Sequence, residues 1–169
     1  MKRQEWAILG IIVFVIAYSG CIEDGEMQKQ KTIANQVRPF AQSGANDGNS
    51  NNPILHGNAL IWDMTSNSRS AAYDLLPSDL RAESSDKQIT VFLIRGARDV
   101  KVGTYSISGE NAYEQYTDIS VVYWPENRSA GFYSILSEEP RSSREVQNNP
   151  EYGDPNKPIA DWIEKLRGN

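Results

Sequence analysis

The sequence predicts an α+β fold: an antiparallel sheet of about five strands, packed by a C-terminal amphipathic helix. Three observations carry that expectation. Beyond Pro53 the chain breaks into short β-branched and aromatic stretches separated by turn residues. The regular alternation of strands with long helical segments that marks a parallel α/β fold is missing. The one strong helical periodicity lies at the C-terminal end. An all-β sandwich or half-barrel is the alternative use of the same strands. The expected division is an anchor or signal over residues 1–22, a flexible polar tether over 23–53 and a globular domain over 54–169.

The N-terminal segment has a charged start with Lys2 and Arg3, then an apolar run from Trp6 to Tyr18, then Ser19, Gly20 and Cys21. A basic n-region, an h-region of this length and small residues before a cut site describe an export signal. The ending Tyr18-Ser19-Gly20-Cys21 resembles the lipobox of prokaryotic lipoprotein signal peptides, with Tyr18 in place of the usual aliphatic residue. That resemblance implies cleavage before Cys21 and a diacylglyceryl group on its sulfur. The rival is an uncleaved transmembrane helix over residues 6–22, which would span roughly 25 Å against a hydrocarbon core of about 30 Å. Either anchor keeps Lys2 and Arg3 in the cytoplasm and sends residues 23–169 to the extracytoplasmic side of the cell membrane.

From Glu23 to Asn52 the chain is rich in Gln, Asn, Gly and Ser, a composition that buries too little surface to offset its ordering entropy. It reads as a tether reaching about 30 Å on average. Ile33, Val37 and Phe40 fall at helical spacing there, but Pro39 interrupts the turn.

In the globular part, strands are expected over 59–64 (ALIWDM), 89–94 (ITVFLI), 100–107 (VKVGTYSI), 116–124 (YTDISVVYW) and 130–136 (AGFYSIL). WPENRSAG joins the last two, and Pro125, Asn127 and Gly131 suit a hairpin. Ile119, Val121 and Tyr123 then share one sheet face, and Val122 and Trp124 the other. SAAYDLL and PSDLRA read as short helical turns between the first two strands. At the C-terminus, Ile159, Trp162, Ile163 and Leu166 fall at i, i+3, i+4 and i+7, with Lys165 and Arg167 in the last turn. The phrases IWDM, VGTYS, VVYWPEN and PEYGDPNKPIADW are similar to those of uncharacterised exported domains over residues 58–166, a resemblance that implies no fold, activity or ligand.

Composition narrows the function classes. The net charge of −5 lies wholly beyond residue 53, the reverse of the basic surface that nucleic-acid binders carry. With one Cys and one His the chain has no zinc-type ligand set, and it has no EF-hand-like loop, so neither metal nor cofactor is expected. His56, before the first strand, reads as a loop residue without a nucleophile beside it. No phosphate-binding loop or nucleophile elbow occurs. Asp63, Asp118, Glu138 and Glu139 are available for carboxylate chemistry.

Two surface features remain. RGARDVK places Arg95, Arg98 and Lys101 after a very apolar strand, an arrangement suited to an anion or headgroup, or to a solvated turn balanced by Asp99. Tyr113, Tyr116, Tyr123, Trp124, Phe132 and Tyr133 would form either core or an aromatic platform for a partner. The candidate ligand or partner patch is therefore Arg95, Arg98, Lys101, Tyr123 and Trp124, with Cys21 the lipid attachment site implied by the lipobox resemblance. Asn127-Arg128-Ser129 is an N-x-S sequon at the expected hairpin tip. The functional expectation is a membrane-anchored extracytoplasmic binding or structural module of the cell envelope, more readily than an enzyme. The alternatives are a carboxylate-dependent hydrolase and an accessory subunit of an envelope complex on a single transmembrane helix.

Overall fold

A computed structural model of the chain describes residues 25–41, 52–106, 108–138, 154 and 156–168. In chain order the elements are helix α1 (25–41), strands β1 (Asn58–Asp63) and β2 (Ser68–Arg69), helix α2 (Ala71–Leu75), a 3-10 turn (Ser78–Leu80), strands β3 (Ile89–Thr104), β4 (Asn111–Trp124) and β5 (Arg128–Glu138), helix α3 (Asn156–Lys165) and a closing 3-10 turn (Leu166–Gly168). The five strands form one open sheet in the order β2-β1-β3-β4-β5. All neighbours pair antiparallel except β1 and β3, which run parallel in the register Asn58↔Ile89 to Asp63↔Ile94. The class is therefore α+β, and the sheet is not a closed barrel.

The parallel pair departs from the all-antiparallel expectation for a local reason. After β1, Asp63 Oδ1 accepts the backbone N–H groups of Thr65 and Ser66, and Asn67 takes a left-handed φ of 53°. The chain turns into the two-residue β2, and Ser70 then caps α2 by accepting the N–H of Ala72. That short hairpin and helix form a crossover, which brings the chain back to start β3 beside the start of β1.

Register assigns the faces. Ile61, Phe92, Val121 and Gly131 lie in one row across the sheet, and Trp62, Leu93, Ser120 and Phe132 in the next. The first row faces α3: Trp162 meets Phe92 edge-on at 5.7 Å between ring centroids and lies 5.5 Å from Tyr133. The second row faces α1, where Ser120 donates to the carbonyl of Ala41 and Trp124 Nε1 donates to Gln36. With both faces covered, Leu60, Ile61, Ile89, Val91, Phe92, Leu93, Ile119, Val121 and Val122 are wholly buried. The predicted α3 stripe holds, with Ile159, Ile163 and Leu166 buried and Trp162 partly so. Arg167 pins the helix end to Asp79 at 2.6 Å.

Two expectations are corrected. The stretch read as a flexible tether contains α1, so the folded body begins by residue 25 and not near 54. Its buried stripe is Gln30, Ile33, Ala34, Val37 and Ala41, while Phe40, which the helical spacing had singled out, is exposed. A stripe with two alanines and a glutamine has little apolar bulk, so composition hides it, yet the small residues let the helix lie close on the sheet. Gln30 is held by donating to the carbonyl of Ala82 at 2.9 Å and to the hydroxyl of Tyr73 at 3.3 Å. Glu26 accepts from both the backbone N–H and the hydroxyl of Ser84. Pro39 falls in the last turn on the exposed side, where losing one helical hydrogen bond costs least.

The second correction concerns 89–107. The expected strand, turn and strand are a single strand from Ile89 to Thr104, paired with β4 throughout. Register shifts at Ile94/Gly96 and Lys101/Gly103 are bulges that bend it without ending it. Gly96, at φ 150°, supplies a backbone conformation at the first bulge that other residues rarely adopt.

Candidate interaction surface

Of the residues singled out above, Arg95, Arg98, Lys101, Tyr113, Tyr116 and Asp118 lie on the part of the sheet that outruns the core. Beyond Ile94 and before Ile119, β3 and β4 continue as a two-stranded arm whose base is flanked by β5. Its backbone is satisfied by the ladder, but among its side chains only Ala112 and Thr117 are buried.

On the face of the sheet that carries Phe132, a ladder of polar and aromatic groups runs outward. The Arg95 guanidinium lies 5.6 Å from the centroid of Phe132. Next, Arg98 Nε lies 3.3 Å from the carboxylate of Asp118 and its Nη2 donates to Ser134 at 3.3 Å, while Ser134 donates to Asp118 at 2.6 Å. The same guanidinium lies 5.3 Å from the Tyr116 centroid. Tyr116 in turn donates to Glu114 at 2.8 Å, and that hydrogen bond to a carboxylate holds its phenol above the ordinary pKa. Alternation along β4 puts Glu114, Tyr116 and Asp118 on this one face.

The predicted patch is thus divided. Arg95 and Arg98 lie together, whereas Lys101 pairs with Tyr113 on the opposite face of the arm. Tyr123 and Trp124 lie at the far end of β4, opposite Thr90 and Ile89, about 20 Å from Arg95 at ~3.3 Å per residue. Both are structural there. Tyr123 is buried, donates to the carbonyl of Ile54 at 3.0 Å and stacks on His56 at 4.1 Å with an interplanar angle of 8°. That leaves the other side of the ring to Arg128, whose guanidinium is 4.7 Å from the centroid. Burial raises the Tyr123 pKa, and the hydrogen bond to Ile54 opposes the shift. Trp124 anchors α1 through Gln36. The aromatic platform divides likewise: Tyr113 is on one face of the arm, Tyr116 and Phe132 are on the other, and Tyr133 packs under Trp162.

The acids named for carboxylate chemistry are not gathered. Asp63 caps the turn after β1, while Asp118 lies on the opposite face of the sheet, engaged by Arg98 and Ser134. The side chain of Glu138 and all of Glu139 lie outside the described residues, as does Cys21 with the whole segment 1–24. His56 has Tyr123 against its ring and Thr90 on its backbone N–H. Among the described residues no three Asp, Glu, His or Cys side chains converge as metal ligands, and no helix is long and apolar enough to cross a membrane.

A hollow of about 300 Å³ opens at the base of the sheet between Ile54, Asn58, Asp79, Leu166 and Arg167. The Asp79–Arg167 ion pair occupies its polar side. At the hairpin tip, Asn127 takes a left-handed φ of 53° and turns its Oδ1 inward, away from solvent.

Sequence reasoning missed Ser134, and it named Asp118, Tyr116 and Phe132 for other roles without joining them to Arg95 and Arg98 in the ladder. Their signal was present as the alternate positions 114, 116, 118 and 132, 134, but it carries meaning only once the strands are paired in this register. No protein-family profile matches the chain, and comparisons with curated proteins and with solved structures find no match.

Proposed function

We propose that this chain is a membrane-anchored extracytoplasmic binding module of the cell envelope, which presents the Phe132–Arg95–Arg98–Tyr116 face of its arm to an envelope protein. The observation that carries the reading is the arm itself. Two strands continue past the core with side chains that, Ala112 and Thr117 apart, stay in contact with solvent, and a mixed cationic and aromatic face of this kind suits protein recognition.

For the location, support comes from Lys2 and Arg3, the apolar run and the Ser19-Gly20-Cys21 ending. Lipidation of Cys21 is the preferred anchor, and a helix over residues 6–22 the alternative with the same topology. Helix α1 begins four residues after Cys21, a stretch that reaches at most about 14 Å. A lipid on Cys21 would therefore hold the folded body next to the headgroups.

Two measurements test the reading. The anchored protein should have an intact mass that lacks residues 1–20 and gains a diacylglyceryl group, and Cys21→Ser should abolish both changes. Identical masses apart from the substitution itself would overturn the lipoprotein part. For the arm, a quantified partner recovered from native membranes by crosslinking should be lost from the Arg95→Glu/Arg98→Glu variant at unchanged melting temperature. Undiminished recovery would overturn the assignment of this face.

A further inference from the structure

The partly buried cations are not spread evenly over the fold. Among the described residues they are Lys31, Arg38, Arg69 and Arg81, and all four stand on α1 or beside β2 and α2. Two of them are satisfied within the protein. Arg69 pairs with Asp74 at 3.4 Å and lies 4.8 Å from the Tyr73 centroid, and Arg81 donates to the carbonyls of Asp74 and Leu76. Arg38 and Lys31, by contrast, have no acid within ion-pair distance among the described residues. The other acid of this quarter, Glu26, is taken by Ser84 and Gln30.

Geometry brings these cations to one groove. Arg38 Nη2 donates to Asn67 Oδ1 at 3.0 Å, which turns the Arg38 flank of α1 toward the β1–β2 connection. Lys31 lies two helical turns earlier on the same flank. Across from them, Arg69 stands opposite Trp62 in the β1–β2 pair, so its side chain leaves the sheet on the α1 face. Trp62 forms the floor, with its Nε1 at 3.5 Å from the same Asn67 oxygen. The groove therefore offers N–H groups and little else. Arg38 Nε is buried without a hydrogen-bond partner, and Asn67 uses its Oδ1 on Arg38 and Trp62, which leaves its Nδ2 donors open. A guanidinium partly stripped of water without a counter-charge is unfavourable, and an anion that reaches it offsets that cost.

We propose that the groove between α1 and β2 binds a phosphate group, held by Arg38 and Asn67 Nδ2 with Lys31 and Arg69 around it. A guanidinium fork, an amide and an ammonium present several donors to one centre, which suits a group with several acceptor oxygens. Asp74 offsets only one of the three cations, so the groove stays cationic within an acidic chain. The phosphate is supplied by a lipid headgroup or from solution, and the two sources are separable by experiment. The groove shares no residue with the Phe132–Arg95–Arg98–Tyr116 face and does not rest on the anchor.

Trp62 supplies the probe. The full chain in uncharged-detergent micelles is titrated with inorganic phosphate, and separately with phosphatidylglycerol mixed into the micelles, while heteronuclear NMR follows the indole N–H signals. At least one titration should move the Trp62 signal saturably, through Asn67, and leave those of Trp124 and Trp162 in place. A response to inorganic phosphate supports a soluble ligand, and a response to the lipid alone supports a headgroup. Arg38→Gln should weaken the response about tenfold or more, through loss of the charged fork. Lys31→Gln, at a position without an acid partner, should weaken it about threefold and keeps the test open should the first variant not fold. No movement of Trp62 in either titration would overturn the proposal. So would an equal movement with acetate, or a response that both folded variants leave unchanged.

Discussion

β3 passes through two environments. Its first six residues, ITVFLI, are buried one and all between α1 and α3, while from Arg95 to Thr104 no residue is buried, although the same ladder to β4 continues. Backbone pairing is thus common to both halves, and what differs is whether side chains leave water. The core half is stabilised by apolar burial, at about 25 cal/mol per Å². The arm relies on cross-strand pairs such as Arg98–Asp118, each contributing on the order of 0.2–1 kcal/mol. A sheet can therefore extend a rigid surface beyond its core at small net gain or cost in stability, which leaves the arm's side chains open to selection for binding.

Substitutions should separate the two halves by size of effect. The largest is expected for Trp62→Ala in β1: the side chain is fully buried, and its removal should cost about 3–5 kcal/mol, read as a shift of the denaturant midpoint at unchanged slope. Ile33→Ala in α1 should cost about 2–4 kcal/mol by the same measurement, because this helix belongs to the core half despite its polar composition. A cost near zero would return residues 25–41 to the status of a tether.

Alkaline pH should act next, and again on the core half. Burial raises the pKa values of Tyr73, Tyr123 and Tyr133 above 10.0, so the native state keeps protons that the unfolded chain releases. Their contribution is complete below about pH 10 and is lost as pH rises through the raised native values. Tyrosinate absorbance and circular dichroism followed together should show ionisation of these groups accompanying unfolding. Free titration at the ordinary value in a still-folded protein would contradict their burial. The smallest effect is expected for Arg98→Ala in the arm, below about 1 kcal/mol, since its side chain is 51% exposed and its ion pair is screened by solvent. A loss of several kcal/mol would mean that the arm supports the core.

Much of the core half was legible in the sequence. β1, the start of β3, β4, β5 and α3 have the β-branched runs or the i, i+3, i+4, i+7 stripe that burial demands. Helix α1 was not legible, because its stripe of Gln30, Ala34 and Ala41 around Ile33 and Val37 has the composition of a linker and gains its meaning from the sheet beneath. The arm was legible only in part, over 100–104 and 116–118: the preceding RGARD has the residues of a turn, and it is extended because β4 pairs with it, a tertiary fact that outweighs local propensity. The candidate surface was half legible for the same reason. Arg95 and Arg98 stood out as cations, but pairing register alone brings Phe132, Ser134 and Asp118 to them and sends Lys101 to the other face.

The central claim is that α1 is core while the β3–β4 extension is surface, and native-state hydrogen exchange tests it most directly. Amides of residues 33–38 in α1 should open only with free energies near those of Val91 to Leu93 in β3, and amides of residues 98–104 should exchange through much smaller local openings. The reverse order, with α1 exchanging as freely as an unstructured linker while the arm stays protected to the global limit, would contradict the account.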